Sequence, residues 1–323
     1  MTKQKMENNS QKLKIISNKL LVFDALLVLL IVLMFFLIYS VLHPVTKKDV
    51  GISGPVTHTT AFKKINLIGK SAFVYDVSTA KVLFKKNEFA QLPLASITKL
   101  MTALLATELV QRDSHITIRK EFLQEEGDSG LLSGESWRLK DLLDFSLMVS
   151  SNDGARSIAS VVGALNLKSN DYDLGRKDFI AKMNERAKEL GLKETYFINE
   201  SGLDENGLSG GYGSAIDVAK LMEYILTNRP EILEATKYQS VNINSLTKSH
   251  LAINTNIDIN QIPGLMASKT GYTDLAGGNL IVTFDASIGR PIIVVVLGSS
   301  EEGRFADVDT LVKASLEYIR ESH

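Results

Sequence analysis

Three short segments, remote from one another in the chain, carry side chains that could do nucleophilic chemistry together. In Leu94-Ala95-Ser96-Ile97-Thr98-Lys99 a serine opens an apolar run and a lysine follows three residues later. If the run is a helix, both side chains share one face. An oxyanion forming at Ser96 would then meet unpaired backbone N–H groups and the positive end of the helix dipole. A serine hydroxyl is inert until something removes its proton. A lysine can do so once burial or a neighbouring cation lowers its pKa. The second segment, Ser150-Ser151-Asn152, offers a hydroxyl and an amide two residues apart in a polar turn, able to face one cleft. The third is Lys269-Thr270-Gly271, followed by Tyr272. On a strand edge it would present a cation and a hydroxyl to a peptide carboxylate, with a glycine that lets the peptide approach closely.

Each segment alone also has a plainer reading. Serine is a good helix cap, Ser, Asn and Asp favour turns, and a Lys-Thr-Gly tripeptide suits a solvated strand end. The weight lies in the three occurring together, in this order.

The elements that must position them follow from pattern. Ser71–Asp76 and residues 82–85 read as strands joined through Ser78-Thr79-Ala80. Residues 97–110 combine strong helix formers with apolar side chains and read as a buried helix. Residues 139–149 and 154–162 are expected as helices on either side of the Ser150–Asp153 turn. Residues 178–190 form an amphipathic helix closed by Gly191, and residues 215–226 another, capped by Ser214. Strands at 280–284 and 292–297 and a helix at 305–319 complete the chain. Strands at both ends with helices between predict an α+β fold: an antiparallel sheet built from both ends of the region, flanked by helices, with a helical subdomain.

Composition removes several function classes. The 323 residues carry a formal net charge of -1, which leaves no electrostatic footprint for nucleic acid. There is no cysteine, so disulfides, thiolate nucleophiles and cysteine metal sites are excluded. The five histidines, His43, His58, His115, His250 and His323, form no HExxH pair, against a zinc peptidase. No metal or organic cofactor is expected.

Residues 25–42 are apolar without a single charge, extended by residues 20–23 across Asp24. About 20 such residues span a bilayer as a helix. No small-residue cleavage pattern follows at His43-Pro44, so an uncleaved anchor at 20–43 is expected. Lys3, Lys5, Lys12, Lys14 and Lys19 precede it against one Glu7, placing the basic tail, residues 1–19, inside and the bulk of the chain outside. Residues 44–62, polar with Gly51, Gly54 and Pro55, read as an extracytoplasmic linker.

The order Ser-x-x-Lys, Ser-x-Asn, Lys-Thr-Gly resembles the signature of penicillin-binding proteins and class A β-lactamases. The likeness extends to residues 93–103 (PLASITKLMTA), Gly134-Glu135, residues 147–153, Thr195-Tyr196-Phe197-x-Asn199-x-x-Gly202-Leu203 and Lys269-Thr270-Gly271-Tyr272-Thr273. It is specifically similar to the serine-type D-alanyl-D-alanine carboxypeptidases, with 63–323 as the catalytic domain. The resemblance implies that Ser96 attacks the carbonyl between two D-alanines, that Lys99 is its base, and that Ser150 relays a proton to the leaving amine. Asn152 would bind the substrate backbone, Lys269 and Thr270 its carboxylate, and the N–H groups of Ser96 and Tyr272 would form the oxyanion hole beside Gly271. The partners implied are peptidoglycan stem peptides ending in D-Ala-D-Ala, β-lactams as covalent inhibitors, and the membrane. Lys269 is also expected to help depress the Lys99 pKa. A class A-like β-lactamase would need a glutamate to activate the deacylating water, and no convincing Glu-x-x-x-Asn loop lies between Asn152 and Lys269. An inactive cell-wall-peptide-binding module is the third reading, opposed by the intact motifs.

Overall fold

The computed structural model describes residues 60–127 and 129–321, together with Leu30 and Met34. The chain divides into two compact units, Met1–Asp49 and Val50–His323. In the first, Leu30 and Met34 are helical and exposed. The rest of the anchor expected at 20–43, the basic tail and the linker up to residue 59 lie outside the described residues. Among the described residues no helix is long and apolar enough to cross a membrane.

The second unit is organised by a five-stranded sheet. Its strands are β1 (Ser71–Asp76), β2 (Lys81–Lys86), β3 (Leu265–Thr273), β4 (Gly277–Asp285) and β5 (Pro291–Ser299). The spatial order is β3-β4-β5-β1-β2, all neighbours antiparallel. The two ends of the domain meet where β1 pairs with β5, from Ser71 opposite Leu297 to Asp76 opposite Ile292. The β-branched run at 292–296 suits a strand buried on both faces. Side chains alternate as the pleat requires: Phe73, Tyr75, Val295 and Leu297 enter one core, Ala72, Val74, Val294 and Val296 the other.

Six helices complete the unit: α1 (Lys99–Leu109), α2 (Leu139–Met148), α3 (Asn152–Leu167), α4 (Tyr172–Glu189), α5 (Ala215–Asn228) and α6 (Gly303–Glu321). Helix α6 covers one face of the sheet through Val308, Leu311 and Val312. Helix α5 packs on β1 and β5 from the other side, and α1 lies centrally against α2, α3, α4 and α5. Helices α3 and α4 cross at Gly163 and Gly175, where a Cβ on Gly163 would fall 1.9 Å from the Gly175 carbonyl oxygen. Only residues without side chains allow that approach. The α+β arrangement is the one expected from the pattern.

Boundaries differ where local chemistry overrides periodicity. The helix expected from residue 97 begins at Lys99, because Ala95–Thr98 form a 3-10 turn. Helix α3 starts at Asn152, not residue 154, because Ser151 accepts the Gly154 N–H at 2.9 Å and caps it. Helix α4 starts six residues before the expected 178, capped by Asp171; a polar, glycine-containing first turn hides it from hydrophobic periodicity. A hairpin of Ser240–Asn244 and Ser249–Ile253 was not anticipated. Of the linker expected at 44–62, residues 60–62 are described and pack on the domain. Thr60–Phe62 form a 3-10 turn, Phe62 stacks on Phe84 at 5.8 Å, and the Thr60 hydroxyl donates to Glu321 at 3.1 Å.

Candidate active site

Ser96 lies in the 3-10 turn that links the short strand Leu92–Pro93 to α1. The Leu94 N–H donates to the Gly211 carbonyl at 2.8 Å, and Ala95 takes φ +48°, a conformation disfavoured for a residue with a Cβ. Strand β3 passes directly alongside. A Cβ on Gly271 would lie 2.9 Å from the Leu94 carbonyl oxygen and 3.1 Å from the Ser96 nitrogen. The glycine of the third motif therefore brings a strand edge against the turn that carries the hydroxyl.

Lys99 opens α1, and its side chain is 2% exposed. Its Nζ lies 2.8 Å from Ser96 Oγ, 2.7 Å from Asn152 Oδ1 and 2.9 Å from the Ser201 carbonyl oxygen. As an ammonium it donates to all three. As a neutral amine it keeps the donations to Asn152 and Ser201 and turns its lone pair on the Ser96 O–H. The second state is the one that can take the serine proton. Burial brings the Lys99 pKa down from 10.5 to about 7, while the carboxylates of Glu200 and Glu125 act in the opposite direction. Both protonation states are therefore accessible at neutral pH. Burial, one of the two causes expected from the sequence, leads, and the repulsion between the two lysines bears on Lys269.

The second and third motifs meet in the same way. Lys269 is 1% exposed, and its Nζ donates to Ser150 Oγ and to the Thr270 carbonyl oxygen, each at 2.9 Å. Burial, with added repulsion from Lys99 and Arg304, holds its pKa well below that of a free lysine. Ser150 itself sits at φ +60°, a second left-handed non-glycine residue in the site. Asn152 is oriented at both ends, its Oδ1 on Lys99 and its Nδ2 on the Glu126 carbonyl at 2.7 Å. The Thr270 hydroxyl faces that of Thr255 at 2.5 Å. Tyr272 is 45% exposed. The structure thus brings Ser96, Lys99, Ser150, Asn152, Lys269, Thr270 and Gly271 into one cluster with Tyr272 on its rim.

Several contributors carry no motif. The Ser201 carbonyl is held on Lys99 by a loop that Asn199 shapes. Asn199 Oδ1 accepts the Gly202 N–H at 2.8 Å and its Nδ2 donates to the Leu203 carbonyl at 3.0 Å. The Asn199-x-x-Gly202-Leu203 stretch was visible, but a backbone carbonyl leaves no trace in residue type. Arg304, on α6, donates to the Gly271 carbonyl at 2.9 Å. In a trans peptide the next N–H points the opposite way, so this bond turns the Tyr272 N–H away from Arg304. Among the described residues β4 is the one strand paired with β3; at Ser268 the strand is bonded instead to Thr236.

Comparison with known proteins agrees with this geometry. The profile described as D-alanyl-D-alanine carboxypeptidase matches residues 57–301. The D-alanyl-D-alanine carboxypeptidase DacF of Bacillus subtilis is 31% identical over 249 residues, covering 75% of this chain but 61% of that protein. The chain therefore spans about three fifths of that relative's length. The D-alanyl-D-alanine endopeptidase of Escherichia coli is 28% identical over 255 residues, 75% of each chain. Among solved structures, ampicillin-bound penicillin-binding protein D2 of Listeria monocytogenes is similar, with a TM-score of 0.67 and 29% identity over 78% of this chain and 98% of that one.

Proposed function

This chain belongs to the D-alanyl-D-alanine carboxypeptidase family, and on that premise we propose that it removes the terminal D-alanine from peptidoglycan stem pentapeptides through an acyl-enzyme on Ser96. The observation that carries the reading is the buried Lys99 amine 2.8 Å from the Ser96 hydroxyl. Neutral Lys99 takes the Ser96 proton as Oγ bonds to the carbonyl carbon between the two D-alanines. The resulting oxyanion is held by the N–H groups of Ser96 and Tyr272. Removing one such donor typically raises the barrier by about 3 kcal/mol. Ser150, bonded to Lys269, passes a proton to the departing D-alanine nitrogen as the C–N bond breaks and recovers one from the Lys99 ammonium, which is thereby neutral again. Water then attacks the ester with Lys99 again as base, releasing the shortened peptide and restoring Ser96. Asn152 binds the substrate backbone, and Lys269 and Thr270 grip the terminal carboxylate. A β-lactam offers the same carboxylate and a strained amide, and its opening leaves a long-lived ester on Ser96. The ampicillin complex of the Listeria relative supports that expectation.

A second substrate reading has its own support, because one relative is a D-alanyl-D-alanine endopeptidase. Assaying the full-length chain on a pentapeptide and on a cross-linked dimer separates the two by product. Absence of hydrolysis of both substrates would leave an inactive binding module, and rapid turnover of penicillin would favour a β-lactamase.

The domain is tethered to the outer face of the cell membrane by a single helix at 20–43, with the N-terminus inside. The charge-free run at 25–42 and the lysines before it support this. The chain is expected to sediment with membranes, to be released by detergent and not by high salt, and to be cut by protease added outside intact cells. Release by salt alone would overturn the tether.

A further inference from the structure

Behind Lys99 lies buried charge that none of the three motifs contains. Glu200 is 1% exposed. Arg176 Nε donates to both of its carboxylate oxygens, at 3.0 and 2.9 Å. Its backbone carbonyl accepts the Thr102 hydroxyl at 2.7 Å, on the same helix as Lys99. The next carbonyl along, that of Ser201, accepts the Lys99 amine. Arg176 follows Gly175, the residue at which α4 packs onto α3. One residue thus ties the base, its helix and the neighbouring helix together.

A carboxylate withdrawn from water is a costly way to fill space, and its pairing with a guanidinium offsets that cost only in good geometry. Asn199 shapes the turn from 199 to 203 internally, while Glu200 anchors it against the Lys99 helix through Thr102 and Arg176, and a neutral residue could serve for the first of these tasks. The charge at position 200 therefore calls for another role. The ionisable groups that bear on Lys99 are Glu200, Glu125 and Lys269. Glu125 stands 3.6 Å from Arg156 and its N–H donates to Asp153; Arg304 lies beyond Lys269. Of the carboxylates, Glu200 acts on Lys99 most strongly, favouring its protonated form.

We propose that Glu200, clamped by Arg176, is a positioning residue for the general base, holding the Ser201 carbonyl on the amine and setting how readily the amine releases its proton. This rests on the reading that Lys99 activates Ser96. Without Glu200 the buried amine would lose its proton more easily and be a weaker base. Without Arg176 the carboxylate would act on the amine uncompensated, and the amine would hold its proton to higher pH.

The test uses the full-length chain in detergent and a fluorescent penicillin, with acylation rate constants measured from pH 5 to pH 9. Wild type is expected to show an acid limb that Ser96→Ala abolishes along with all labelling. Glu200→Gln should move that limb to lower pH by roughly one unit, and Arg176→Gln should move it to higher pH. Glu200→Asp, which keeps the charge, should leave it closer to wild type. Opposite displacements by the two neutralising variants are the signature, and Arg176→Gln alone still decides the matter if Glu200→Gln does not fold. A lowered melting temperature with limbs that coincide with wild type would reduce the pair to a structural tie and overturn the inference. If wild type is not labelled through Ser96, the premise itself fails and the inference falls with it.

Discussion

The Lys269 amine lies 2.9 Å from the Ser150 hydroxyl, so the last strand-borne cation of the chain is bonded to the turn between α2 and α3. With Lys99 bonded to both Ser96 and Asn152, the two lysines join all three motifs. Each lysine meets a serine hydroxyl, and both are buried. That doubling gives the site two places to hold a proton, one beside Ser96 and one beside Ser150.

Replacing Ser96 by alanine should abolish D-alanine release and covalent labelling by fluorescent penicillin together. A variant that folds, by circular dichroism, yet still forms the adduct would remove Ser96 from its role.

Lys99→Ala should slow acylation by about 10²–10⁴-fold, the usual contribution of a positioned base. The melting temperature should fall modestly, because the Asn152 and Ser201 acceptors lose their donor, but far less than the rate. Acylation near the wild-type rate would mean that another group takes the Ser96 proton.

The acylation rate should depend on pH in one direction. The free base is required, and the Lys99 pKa is lowered to about 7. The rate should therefore climb about tenfold per unit below pH 7 and level off above it. Measured rates that stay flat between pH 5 and pH 7 would contradict this protonation state.

Gly271→Ala places a methyl 2.9 Å from the Leu94 carbonyl oxygen and 3.1 Å from the Ser96 nitrogen. Strand and turn must part, and a displacement of this order can cost about 10²-fold in rate. Acylation should suffer far more than the melting temperature. Equal kinetics in the alanine variant would show that the two segments are not held against each other.

Thr255→Val removes the hydroxyl that faces Thr270. The Thr270 hydroxyl loses its partner, which should weaken binding of a carboxylate-terminated peptide by about 1 kcal/mol, roughly fivefold in KM, with kcat little changed. An unchanged KM would leave the threonine pair without a part in substrate binding.

Much of this architecture was legible before any coordinates. The β-branched run at 292–296 was readable as a strand and the apolar stretch after Ser96 as a buried helix, because both carry a dense hydrophobic signal. The three motifs were readable because their chemistry resides in side chains. Helix α4 began earlier than expected because Asp171 and a polar first turn hold it by capping rather than by an apolar stripe. The same limit hid the inner layer of the site. Ser201 acts through a carbonyl that any residue has, and Glu200, Arg176, Thr255 and Arg304 acquire meaning only from neighbours remote in sequence. Burial of the Lys99 amine was expected in kind, from the apolar run that carries it, but its dominance over neighbouring charges is visible only in the folded site.

The pairing of β1 with β5 has a consequence for the order of events during synthesis. Ser96 and Lys99 leave the ribosome early, yet the edge that must lie beside them belongs to β3, and β3 reaches them only through β4 and β5. An unfinished chain therefore carries Ser96 with no complete pocket. Contacts so distant in sequence are generally slow to form, and the pocket is whole only once β3, β4 and β5 have joined β1.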